Sequence, residues 1–218
     1  MRYGIIGTGG VARTIADKLV ALGHEVTLGS RSKDNEAGAA WAGQAGAGGH
    51  HGTFADAAAF GEVVLNATPG TVAVEALRAA GAEHLAGKLL IDLSNPLVFS
   101  AEGEVTLDPV NTDSVGERIQ REFPRALVVK TLNTLTAPLM VDPARLEGEH
   151  NLFVAGNDAD AKARTVALLG TFGWPAEWVI DLGDITGARA MEMMMPFWIR
   201  MMRALGTTEF NYAFKRAR

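Results

Sequence analysis

The chain has 218 residues, 48% of them apolar, with 20 Lys and Arg against 25 Asp and Glu for a formal net charge of −5. That content supports one large domain with a buried core and excludes a disordered chain, while the acidic balance lacks the basic stripe that nucleic-acid binding requires. Because the sequence holds no cysteine, disulfides, thiolate metal sites and redox thiols are excluded together, and any redox chemistry has to run on a bound organic cofactor.

Arg2 opens the first strand, leaving no room for a secretion leader, and no apolar run approaches the ~18 residues of a membrane span, so a cytoplasmic protein without a membrane partner is expected. Tyr3 to Ile6 reads as strand, Val11 to Leu22 as helix and Glu25 to Gly29 as strand, a βαβ unit. Glu36 to Ala47 reads as a weak helix ending in a Gly-Gly-His-His-Gly turn at His50 and His51. Further strands are expected at Val63 to Ala67, Leu89 to Leu93, Leu127 to Thr131, Leu152 to Ala155 and Glu177 to Asp181. Ser114 and Glu117 form a capping box for a helix that Pro124 stops, and Asn157 is expected to cap a helix from Asp158 to about Phe172. From Gly187 to Leu205, Met191, Met194, Met195, Trp198, Met202 and Leu205 recur at helical spacing around Pro196, which predicts a bent helix or two short ones serving as core or subunit contact.

Gly7-Thr8-Gly9-Gly10-Val11-Ala12 is a G-x-G-x-x-A between the first strand and the first helix. Gly7 suits a tight turn, Gly9 lets backbone amides reach a pyrophosphate, and Ala12 lets helix and strand pack closely. A dinucleotide site for NAD usually ends its second strand with Asp or Glu. Here Ser30, Arg31 and Lys33 stand there, hydroxyl and cationic donors that suit the 2′-phosphate of NADP.

Thr68 and Pro69, Ser94 and Asn95, and Asn133 and Thr134 fall at the carboxyl ends of later strands, where ligands of open parallel sheets sit. No proton donor is evident. His24, His50, His51, His84 and His150 are expected at the surface, the C-terminal helix has no Lys, and the paired histidines lack further metal ligands, so neither a catalytic residue nor a metal is assigned. Hydride transfer between stacked rings needs mainly positioning, so such a site suffices for it.

These residues resemble the NADPH-dependent reductases of the 5-deazaflavin coenzyme F420. The resemblance rests on Gly7 to Ala12, Gly29-Ser30-Arg31, Leu132-Asn133-Thr134 with Ala137, Phe153 to Asp158, Ala188-Arg189, Met195-Pro196 and Glu209-Phe210-Asn211. It implies a homodimer whose cleft stacks nicotinamide on deazaflavin. Thr8, Gly9, Gly10 and Val11 would hold the pyrophosphate, Ser30 and Arg31 the 2′-phosphate, Thr68 and Pro69 would touch the cofactor, and Ala137 would lie near the nicotinamide. Family members often have His in place of Asn133, Pro in place of Thr136 and Lys in place of Asn35, with Lys33 as a substitute. The module also resembles the cytosolic half of six-transmembrane ferric reductases, without an expected membrane half.

The expected fold is therefore α/β, Rossmann-type and doubly wound, with a mainly parallel sheet over residues 1–182 and a small C-terminal helical subdomain over 183–218 carrying the acceptor cleft and dimer contact. The expected function is hydride transfer between NADP(H) and a small flavin-like molecule, coenzyme F420 first and FMN or FAD second. A soluble flavin or ferric reductase, a carbonyl or imine reductase and a non-catalytic NADP-binding redox sensor are the alternatives.

Overall fold

The computed structural model describes residues 1–217; Arg218, the last residue of the expected subdomain, lies outside the described residues. The opening unit is β1 (Arg2–Ile6), α1 (Gly10–Ala21) and β2 (Glu25–Ser30). Ala12, Ile15, Ala16 and Leu19 recur at helical spacing and bury α1 against the sheet. Next come α2 (Glu36–Ala45), β3 (Gly49–Thr53), α3 (Phe54–Phe60), β4 (Val63–Asn66), α4 (Ala73–Ala80), α5 (Ala82–Leu85) and β5 (Leu89–Asp92). A hairpin of β6 (Leu97–Phe99) and β7 (Val105–Leu107) precedes α6 (Val115–Glu122), β8 (Leu127–Thr131), α7 (Ala137–Val141), β9 (Leu152–Gly156), α8 (Ala159–Phe172), β10 (Val179–Asp181) and α9 (Ala188–Leu205).

Eight strands form one sheet in the order β10-β9-β8-β5-β4-β1-β2-β3. From β3 to β8 every pairing is parallel; β9 runs antiparallel to β8, and β10 runs parallel to β9. Adjacent residues feed opposite faces. Ile5, Leu65, Ile91 and Val129 join the core under α1, α7 and α8, while Ile6, Val64, Leu90 and Val128 join the core under α3, α4 and α6. The chain winds outward from β1 on one side and from β4 on the other, which opens a crevice at the carboxyl ends of these two strands.

Several expectations are corrected. The glycine–histidine turn is the edge strand β3, paired with β2 from Val26↔Gly49 to Ser30↔Thr53. It lacks apolar alternation because backbone pairing holds it on one side. Gly49 and Gly52 are required by close neighbours: an added Cβ would lie 2.3 Å from Ala45 and 2.8 Å from Asp56. Asp158, not Asn157, caps α8 by accepting from Ala161 N at 2.7 Å, and Asn157 instead accepts from Ile185 N at 3.0 Å. The last strand starts at Val179, because Ala176–Trp178 forms a 3-10 turn. Of the two readings of the last segment, only the pair of short helices is excluded: α9 is one helix containing Pro196, with Met191, Glu192 and Met195 buried. Met194 and Met202 of the methionine stripe are half-buried and Leu205 is exposed. His150 is not on the surface: it is 4% exposed, between Trp174 and Trp178, with Nε2 3.1 Å from Pro143 O and Nδ1 accepting from Asn211 Nδ2 at 2.9 Å.

A buried charge cluster ties α9 to the sheet. Lys130 Nζ lies 2.8 Å from Asp92 Oδ2 and 2.8 Å from Glu192 Oε1, all three side chains being at most 2% exposed, and it also donates to Ser94 O. Glu192 accepts from Val115 N and Gly116 N at the start of α6, at 2.9 and 3.1 Å. Burial alone would lower the Lys130 pKa, but Asp92 and Glu192 outweigh it and hold the ammonium above its ordinary range. Lys130→Met is expected to cost about 3–5 kcal/mol in urea denaturation because it leaves buried carboxylates without their cation. Arg145→Ala, which breaks an exposed pair with Glu209, is expected to cost under about 1 kcal/mol. Equal costs for the two variants would contradict this account.

Candidate functional site

The crevice begins where β1 turns into α1. Gly7 has φ +123°, and a Cβ there would meet Ala67 O at 3.0 Å, so this turn excludes other residues. Gly9 and Gly10 differ: an added Cβ at either would find nothing within 4 Å. Protein packing therefore gives no reason for glycine at these two positions. Gly9 is also the N-cap of α1, has no side chain to cap it, and is followed by a first turn without an acidic residue. The amides at this helix end face an open, partly positive surface.

Alongside lies a cavity of about 820 Å³ lined by Gly7, Thr8, Ser30, Arg31, Thr68 and Pro69 among the expected residues. The sequence alone does not point to its apolar wall of Phe54, Val72, Ala76 and Ala79 or to Glu75; Asp34, the second carboxylate in the lining, stands three residues after Arg31. The wall comes from the first residue of α3, the 3-10 turn before α4 and the length of α4, segments whose alanine-rich faces carry no ligand signature in the sequence.

Arg31 is exposed, and no ion pair engages it among the described residues. Ser30 is 7% exposed, and its hydroxyl donates to Ser32 O at 2.5 Å. Lys33 is not among the cavity-lining residues; it pairs with Asp56 at 3.4 Å, both side chains being exposed. Asp56 is held below the usual carboxylate range chiefly by the Thr53 amide and hydroxyl, with Lys33 a lesser cause.

Beyond β4 the strand ends carry a buried polar layer. Thr68 Oγ1 donates to Asn66 Oδ1 at 2.7 Å, Asn66 Nδ2 donates to Asp92 Oδ1 at 2.8 Å, and Ser94 Oγ donates to the same oxygen at 2.8 Å. Asn95 and Asn133 form a reciprocal pair: Asn95 Nδ2 donates to Asn133 O at 2.8 Å, and Asn133 Nδ2 donates to Asn95 Oδ1 at 2.9 Å. Thr134 is 1% exposed, and Ala137 is half-buried at the start of α7. These four residues are outside the 820 Å³ cavity and reach the edge from β5 and β8. Val11 is half-buried and Ala12 fully buried. Among the described residues no cluster of His, Asp and Glu is spaced to hold a metal, and no helix is long and apolar enough to cross a membrane.

Residues 2–96 match the family described as NADP oxidoreductase, coenzyme F420-dependent. The crystal structure of a protein from Arthrobacter sp. FB24, named as an F420-dependent NADP-reductase, is 51% identical; the match covers 98% of this chain and 99% of that one, with a TM-score of 0.92. The chain belongs to the coenzyme F420-dependent NADP oxidoreductases. Metalloreductase STEAP3 of Rattus norvegicus is 27% identical over 98% of the chain, which spans 41% of that relative's length. A reductive aminase from Aspergillus terreus solved with NADPH is 18% identical, the match covering 93% of this chain and 62% of that one with a TM-score of 0.63, a likeness of fold alone. The described protein is thus an NADP-dependent oxidoreductase of this family.

For an enzyme of this family, glycines with no packing role make a sharp expectation. Gly9→Ala is expected to change folding stability by no more than about 1 kcal/mol, the worth of an N-cap, while weakening NADPH binding at least about tenfold by crowding the diphosphate. Calorimetric titration beside thermal unfolding checks it. Unchanged NADPH affinity would contradict it.

Proposed function

We propose that the chain binds NADPH across the β1–β4 crevice and passes hydride to a flavin-like ring, coenzyme F420 being the first acceptor. The observation that carries the cofactor half is the uncapped α1 N-terminus beneath two glycines that packing does not require. In this reading Gly7 sets the turn, the amides of Thr8, Gly9, Gly10 and Val11 hold the diphosphate, and Ala12 lets α1 close on the sheet. Arg31 takes the 2′-phosphate with Ser30, whose hydroxyl turns from Ser32 O, and Lys33 adds charge beside them. The apolar wall of Phe54, Val72, Ala76 and Ala79 suits the flat face of adenine. Thr68 and Pro69 border the middle of the dinucleotide, and Asn95, Asn133, Thr134 and Ala137 border its nicotinamide.

Bound NADPH supplies the hydride. The protein's part is to fix one ring against the other and keep water out, since the charged residues lining the cavity among those described are Arg31, Asp34 and Glu75 and none is placed as a proton donor. The family description and the name of the 51% identical protein support F420 as acceptor. A flavin or ferric reductase is the second reading, favoured by the 27% identity with STEAP3 over nearly the whole chain. The imine reductases share the fold alone, and family membership leaves a non-catalytic sensor without support. We place the protein in the cytoplasm as a homodimer, its contact on exposed apolar residues of α9 such as Phe197 and Leu205.

Arg31→Ala is expected to weaken NADPH by about 10- to 100-fold, the worth of a charge-assisted hydrogen bond, and to leave NADH within about twofold. Equal loss for both removes the 2′-phosphate assignment. For the acceptor, oxidation of NADPH with F420, FMN, FAD and ferric chelates in parallel is expected to be fastest with F420. A faster rate with FMN, FAD or ferric chelate favours the second reading.

A further inference from the structure

Asn133 carries a feature that the pairing with Asn95 does not explain. Its side-chain amide protons are both spent, on Asn95 Oδ1 at 2.9 Å and Met191 O at 3.1 Å. A flipped amide would lose both bonds, so the remaining atom, Oδ1, is an acceptor of fixed direction. The residue is 2% exposed, yet Oδ1 is buried with no hydrogen-bond partner. Leu132, immediately before it, has φ +63°, the left-handed region that a branched apolar residue rarely enters. Three residues on, the Thr136 hydroxyl is also buried without a partner, and it does not cap α7. A strained turn that presents two unpaired polar atoms is arranged for a group absent from the free chain.

The position says which group. The cavity runs from Arg31 at the end of β2 past Gly7 of the β1 turn to Thr68 after β4, and β5 and β8 are the next strands in the sheet. A dinucleotide with its 2′-phosphate at Arg31 brings its far ring toward Asn95 and Asn133. This ring has one polar substituent, a carboxamide, with N–H groups to donate and a carbonyl to accept, the complement of an acceptor-only Asn133 Oδ1 and the donor hydroxyl of Thr136.

We propose that Asn133 and Thr136 read the nicotinamide carboxamide, Asn133 Oδ1 accepting its N–H and Thr136 Oγ1 donating to its carbonyl. They are thereby positioning residues that fix which face of the ring meets the acceptor. The inference rests on the NADP reading above. The contact forms when the turn from Leu132 to Ala137 shifts to admit the carboxamide, because Oδ1 is screened from solvent in the free chain. Binding then removes an unpaired buried acceptor, so a ligand without the N–H forfeits affinity.

The test is calorimetric titration with NADP+ and with its 3-acetylpyridine analogue, whose ketone keeps the carbonyl and lacks the N–H. Wild-type protein is expected to bind NADP+ at least about tenfold more tightly than the analogue, because an unpaired buried acceptor is costly. Asn133→Leu is expected to bring the two affinities within about twofold. Thr136→Val is expected to weaken both alike and leave their ratio unchanged, and this variant together with the wild-type ratio decides the question if Asn133→Leu does not fold. Equal affinity of wild-type protein for the two dinucleotides, a ratio that Asn133→Leu leaves unchanged, or a ratio that Thr136→Val abolishes overturns the proposal. Failure of wild-type protein to bind either dinucleotide overturns the cofactor reading beneath it.

Discussion

The N-terminus of α1 is pressed against the sheet by Ala12, Ile15, Ala16 and Leu19, each fully buried, but its first turn has neither a capping side chain nor an acidic residue. A helix end of this kind carries about half a positive charge on unsatisfied amides. By contrast α2, α6 and α8 are capped by Asn35, Ser114 and Asp158, while α9, which lacks a side-chain cap of its own, continues a 3-10 turn that Asp184 caps. The open end of α1 falls at the crevice where the strand order reverses, and the residues beside it are glycines that could carry a side chain without a clash. The arrangement forgoes a capping contribution of about 1 kcal/mol and keeps a surface ready for an anion.

The polar layer at the carboxyl edge depends on a second constraint. Asn66, Asp92, Ser94 and Lys130 are almost wholly buried, each satisfied by the next, and Glu192 extends the chain of contacts to α9 and to the first amides of α6. Neighbouring strand ends are locked to one another and to the C-terminal helix. Rigid strand ends hold a ring more precisely placed than mobile loops would, which suits a reaction that depends on the distance between two rings. Asn95 and Asn133 stand at the outer margin of this layer, where the hydrogen bonding is incomplete.

Much of the fold was legible from the sequence because its parallel strands are continuous apolar runs and the first helix has a clear period. The glycine-rich turn and Arg31 were legible for a similar reason, since local spacing alone identifies them. What escaped has no local signature. β3 reads Gly-His-His-Gly-Thr and is held by pairing with β2; α3 is a short alanine-rich helix whose Thr53–Asp56 capping box opens it; β9 runs antiparallel, which an apolar run cannot announce. Lys130 reads as a charge at the end of a strand, and only the fold brings Asp92 and Glu192 to it from 38 residues before and 62 after. His150 looks like a loop residue until Trp174 and Trp178 close around it.

In the proposed complex the amides opening α1 hold the diphosphate of NADP. A crystal structure of the protein soaked with NADP+ tests it most directly. Diphosphate oxygens are expected within hydrogen-bond distance of the backbone N–H groups between Thr8 and Val11, with the 2′-phosphate against Arg31. A dinucleotide bound elsewhere, or a crevice empty at saturating NADP+, would contradict it.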